Sequence, residues 1–199
     1  MMVGNQLPPQ ELRVCCRTFG DKGWGFRDWG EIRGRITYIS VEHPKVDYIN
    51  PKYLVYANLT SERFSRSNPV YYVGLHFHHL TPWGSNIYID VYFYELLSNQ
   101  YKRSFVEMHF DWCYLVEKDL FFGAAVRAGG YKGGCPHPPG KVNLYNMTIN
   151  PAYIPRGFPF TRGRIYANFS TTKTKERVAE GHIDMRIATV EAKSIKSLF

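Results

Sequence analysis

No apolar run in this 199-residue chain approaches the roughly 18 residues a membrane-crossing helix needs, so no such helix is predicted. Residues 1–20 hold no apolar core of the kind a secretory signal requires, so no signal is visible in this chain. Like charges never form a block: the 25 Lys and Arg residues scatter from Arg13 to Lys196. A net charge of +8 draws anionic partners in general, and leaves peripheral contact with an anionic membrane open. Without a basic tail or arm, however, nucleic acid is not an expected partner. Catalytic loops are missing too. Gly140-Lys141 is followed by Val142, not Ser or Thr, and no Gly-x-Ser-x-Gly elbow exists. No enzyme activity and no cofactor are expected.

Cysteine is scarce, with Cys15, Cys16, Cys113 and Cys135. Four cysteines allow three connectivities. Cys15 and Cys16 are adjacent and would strain if joined, and Cys113 with Cys135 is the expected pair. Four reduced thiols in a cytosolic protein is the alternative, since compartment decides. Three Asn-x-Ser/Thr sequons, at Asn58, Asn146 and Asn168, are glycan acceptors only in an exported chain.

Aromatic rings are plentiful, at 16% of residues with 15 Tyr and 13 Phe. Flat rings favour the pleated, half-buried surface of strands. Residues 1–34 are Gly-, Arg- and Trp-rich without a period, and read as an irregular arm. Trp24, Phe26 and Trp29 there could meet nucleic acid or membrane, but incidental aromatics are the simpler reading. Alternation then begins at 35–41, with a looser stretch at 46–59. Val73, Leu75 and Phe77 alternate with polar neighbours, and so do Ile87, Ile89, Val91 and Phe93. The turn chemistry of Leu80–Asn86 between these two runs predicts a hairpin. Further strands are expected around Met108 and at 141–149, 163–170 and 181–190. Asp111 as N-cap, with Leu115, Asp119 and Phe122 at helical spacing, predicts one short helix near 111–127. Seven or eight strands without a βαβ rhythm predict an all-β fold: an antiparallel sandwich over 35–192, with a tail at 193–199.

The order Asp111-x-Cys113-x-Leu115, Cys135-Pro136 with Gly140, Asn146-Met147-Thr148-Ile149, Pro155, Pro159 and Gly163-x-Ile165-Tyr166 resembles an insect family of small secreted proteins. That family is related to the ganglioside-activator branch of the ML lipid-recognition superfamily and to the CheB chemosensory proteins. The resemblance runs from about residue 46 to 190. It implies an immunoglobulin-like β-sandwich whose sheets splay into an apolar cup for acyl chains. By that resemblance the protein is a non-enzymatic, secreted lipid binder in a chemosensory or lipid-presenting role.

The inward residues expected to line such a cup are Val73, Leu75, Phe77, Ile87, Ile89, Val91, Phe93, Met108, Ile165, Phe169, Ile183 and Met185. Lys141, Arg162 and Arg164 are candidate contacts for an acidic headgroup. The bland reading is that the same apolar residues form a filled core. The protein would then be an extracellular interaction module using Tyr88, Tyr92 and Tyr94 on its outer face. His76, His78 and His79, with His109, invite a zinc reading. Placed opposite the apolar set, they are expected to be exposed, and no metal is expected. Asp111, Cys113 and His137 could mimic a nucleophile set, which pairing of Cys113 would abolish.

Overall fold

The computed structural model describes residues 35–64, 70–150 and 161–191. The arm at 1–34 with Cys15 and Cys16, the segment 151–160 and the tail 193–199 lie outside the described residues. Among the described residues, eight strands form two antiparallel sheets. In chain order they are β1 (Arg35–Ile49), β2 (Leu54–Glu62), β3 (Tyr72–His79), β4 (Ile87–Leu97), β5 (Gln100–Asp111), β6 (Gly140–Met147), β7 (Arg162–Thr171) and β8 (Arg177–Glu191). The larger sheet runs β1-β8-β7-β4-β5, and the smaller runs β2-β3-β6. The chain is an all-β sandwich, as its alternating pattern predicts.

Period-2 geometry explains the layers. Along β4, Ile87, Ile89, Val91 and Phe93 are buried, while Tyr88, Asp90, Tyr92 and Tyr94 face outward half-buried. On β7 and β8, Ile165 opposes Ile183, and both face the same interior. A single hydrophobic core draws on both sheets and on the helices between them.

Two expectations are corrected. The runs at 72–79 and 87–97 are not a hairpin: β3 pairs with β2 and β6, whereas β4 pairs with β5 and β7. The connector between them instead carries the chain from one sheet to the other. It is anchored by Trp83, which is buried and exchanges backbone hydrogen bonds with His137. The actual hairpin is β4–β5, where Leu97 pairs with Gln100 across Ser98 and Asn99. Their φ values of 48° and 62° are the two positive angles a tight type I′ turn requires.

The single helix is also divided into α1 (Trp112–Glu117) and α2 (Phe122–Ala128). Asp111 does cap α1, accepting from the Tyr114 N–H at 3.0 Å. Asp119 breaks the run: its carboxylate accepts from the N–H groups of Phe121 and Gly123, starting a second turn in a new direction. Gly123 lets the two helices touch, because a Cβ there would fall 1.8 Å from the Leu115 carbonyl oxygen. Cys113 on α1 is bonded to Cys135, which pins this helical corner to the loop before β6.

Candidate functional site

The two sheets are filled at one end and hollow at the other. At the filled end, Phe77 stacks on Trp83 with ring centroids 5.0 Å apart. Trp112 meets Trp83 edge-on at 5.1 Å, and Tyr131 meets Trp112 at 5.7 Å. Rings of this size fill the intersheet space.

Further along, the inward positions become small. Ala57 on β2, Ala167 on β7, and Ala179 and Gly181 on β8 all border one cavity of about 240 Å³. At Gly181 the reason is a close approach. β1 shifts register there, and a Cβ would stand 2.9 Å from the Lys45 carbonyl oxygen. The remaining walls come from larger apolar side chains. β1 gives Ile39, Val41 and Val46, β2 gives Leu59, α2 gives Phe122 and Val126, and β6 gives Met147. A second, much smaller void of about 10 Å³ lies beside Phe93, Ile165 and Met185.

Of the twelve expected lining residues, Val73, Leu75, Ile165, Phe169 and Ile183 border the main cavity. Phe77 belongs to the ring cluster, and Ile87, Ile89 and Val91 are packed core. Met108 is half-buried and packs against that core. Sequence reasoning missed the β1, β2 and α2 walls. The alternation through Ala57 and Leu59 was a usable signal, but nothing marked α2 as a wall rather than a cover.

The three expected headgroup cations stand elsewhere. Lys141 pairs with His78 at the β3–β6 ladder, and none of the three borders the cavity. Arg164 forks onto Asp184 on the outer face, with Nε 2.6 Å from Oδ1 and Nη2 3.2 Å from Oδ2. Burial pushes the Asp184 carboxyl up, but hydrogen bonds from Arg164 and Tyr101 and the Arg164 charge outweigh it, holding Asp184 below the usual carboxylate range. Arg162 lies directly opposite Arg186 in the β7–β8 register, and no ion pair takes up either guanidinium among the described residues.

Among the described residues, one carboxylate and one imidazole border the cavity, and both are engaged. Glu180 accepts from Arg177 at 3.2 Å, and His182 shares a hydrogen bond with Asp47. Burial pushes the Asp47 carboxyl up, and the bonds from His182 and Lys45 more than reverse that.

The histidines do not converge, and no cluster of three metal-ligating side chains occurs among the described residues. His76 bonds Asn143 at 3.1 Å on the outer face, and His109 bonds Asp90 at 2.6 Å on the other sheet. His79 corrects the expectation of exposure, being only 1% exposed. It shares the inward parity of Val73, Leu75 and Phe77, which grouping it with His76 and His78 overlooked. Its Nδ1–H donates to the Thr81 carbonyl at 2.8 Å, so its Nε2 accepts from His137 Nδ1 at 2.9 Å. Burial first, with the nearby His137 and His78 rings, holds His79 below the usual imidazole range despite the Thr81 bond. The Cys113–Cys135 bond also leaves no thiol for a nucleophile set with Asp111 and His137.

Asn58 and Asn146 are exposed on the smaller sheet, whereas Asn168 is half-buried on β7, the middle strand of the larger one. The outer tyrosines are taken up by their own neighbours: Arg103 lies 4.1 Å over Tyr92, and Tyr94 meets Tyr166 at 4.8 Å. Among the described residues no helix is long and apolar enough to cross a membrane. The sequence matches no protein-family model and no curated protein.

Proposed function

We propose that this protein is a non-catalytic, extracellular binder that holds a hydrophobic small molecule or lipid between its two sheets. The observation that carries this reading is the apolar cavity of about 240 Å³. Natural interiors are close-packed, and an apolar hollow of this size, partly open to the surface, leaves its lining short of dispersion contacts unless something fills it. Void and ring cluster share one core, so the hollow is local and built from small residues at chosen positions. The disulfide is compatible with an oxidising compartment.

Size sets the capacity. An apolar cavity of about 150 Å³ takes up benzene, or about 25 Å³ per carbon. On that scale 240 Å³ holds about ten carbons. At about 0.8 kcal/mol per buried CH₂ the gross gain is roughly 8 kcal/mol. Association costs of about 4 kcal/mol or more are set against it, leaving about 4 kcal/mol or less, an affinity in the millimolar range or weaker.

The test is binding of 1-naphthylamine, a neutral ten-carbon probe whose emission shifts in apolar surroundings, to delipidated protein. Saturable binding at one site per chain is expected. A flat titration through several millimolar probe sinks the reading.

A further inference from the structure

On the reading that the cavity holds a hydrophobic ligand, we infer that this ligand is neutral and compact. It has about ten carbons and at most an alcohol, aldehyde or ester group, and it is not an ionised fatty acid or a long acyl lipid.

The first observation is charge. No Lys or Arg borders the cavity among the described residues. The one acidic residue at its border, Glu180, already holds Arg177, and the one imidazole, His182, already holds Asp47. A carboxylate entering with its chain would therefore give up its hydration without gaining a cation or a charge-assisted donor. Arg63 comes closest to an exception. Its guanidinium lies 5.5 Å from the centroid of the Tyr71 ring, and Tyr71 is a lining residue, but Arg63 itself is not. The cations that could have met an acidic headgroup are on outer surfaces, with Arg164 committed to Asp184.

The second observation is polarity of a milder kind. Tyr71 and Thr148 both border the cavity, and neither hydroxyl has a hydrogen-bond partner among the described residues. A hydroxyl can serve one neutral oxygen, and that sets the upper limit of polarity the site can satisfy.

The third observation is volume. A sixteen-carbon chain requires about 400 Å³ on the 25 Å³-per-carbon scale, well beyond the 240 Å³ present. Its surplus methylenes would stay in water, so added length brings no added affinity once about ten carbons are buried.

The test is displacement of 1-naphthylamine from the full, delipidated chain at neutral pH by decanol, methyl decanoate, decanoate and hexadecanoate. Decanol and methyl decanoate are expected to compete alike, and decanoate and hexadecanoate at least tenfold less well. Methyl decanoate against decanoate isolates the charge at constant chain length. Ala167→Ile, which narrows the cavity, is expected to weaken decanol at least tenfold while leaving hexanol within twofold. Decanoate or hexadecanoate equal to or tighter than decanol overturns the neutral-ligand inference and leaves the carrier reading standing. Decanol affinity unmoved by Ala167→Ile also overturns it, since binding then occurs outside this cavity. Failure of the probe itself to bind removes the carrier reading and this inference together.

Discussion

Replacing Ala167 with isoleucine is expected to make the protein more stable, although most substitutions inside a core do the reverse. Ala167 faces inward on β7, with Val91 and Gly181 as its ladder neighbours, and borders the cavity. Isoleucine adds three carbons, about 75 Å³ on the benzene scale, which is under a third of the 240 Å³ available. Recovering that volume at about 24 cal/mol per Å³ is worth roughly 1.8 kcal/mol. A β-branched residue also suits a strand better than alanine does. Part of the gain is lost to ordering the new side chain, so about 1–2 kcal/mol should remain. Urea denaturation reads this directly, as a midpoint raised by about 0.5–1 M at an unchanged slope. The ligand-binding test above should show a matching loss of capacity, a trade of function against stability. A midpoint lowered by the equivalent of 1 kcal/mol or more would refute the reasoning. It would mean the sheets already touch at Ala167 in solution and the added methyls collide with the opposite layer.

Three other outcomes are expected. His79 binds its proton less readily folded than unfolded, so its contribution is complete above about pH 6.5 and is lost as pH falls below that value. His109, raised by its bonds to Asp90, acts in the opposite sense. The His79 contribution should therefore be read as the difference between wild type and His79→Asn in denaturation midpoints at pH 7 and pH 5, with the variant losing less on acidification. Reducing the Cys113–Cys135 bond, which closes a separation of 22 residues, should cost about 3 kcal/mol in the same assay, and an unchanged midpoint would show that the corner is held by packing alone. Arg186→Glu turns the like-charged pair with Arg162 into an opposite pair and should stabilise by about 0.2–1 kcal/mol at low salt, fading as salt is added.

The sandwich was legible because strand periodicity is a local signal. Residues 87–93 alternate without interruption, and their burial follows that alternation residue by residue. The partner of each strand was not legible. Leu80–Asn86 has turn chemistry whether it closes a hairpin or crosses between sheets, and the burial of Trp83 decided the matter. The helix break at Asp119 was hidden because an aspartate is ambiguous in isolation. It becomes a breaker only where its carboxylate can reach two N–H groups ahead of it. For the cavity, an inward strand residue looks the same whether it meets a facing side chain or a void. The useful clue was the run of small inward residues at Ala57, Ala167, Ala179 and Gly181, whose meaning depends on their lying near one another across three strands. The cations failed as a guide because any exposed lysine or arginine is a plausible headgroup contact until its neighbour is known, and for Arg164 that neighbour is Asp184.

The hollow end also makes a mechanical statement. Interlocked rings resist squeezing, whereas an unfilled space is volume that hydrostatic pressure can remove. The empty molecule should therefore be soft on one side of its core and stiff on the other, with compression beginning around Ala57 and Ala167 and reaching Trp83 and Trp112 last. Loading the space should even out that difference, so that resistance to pressure itself becomes a measure of occupancy.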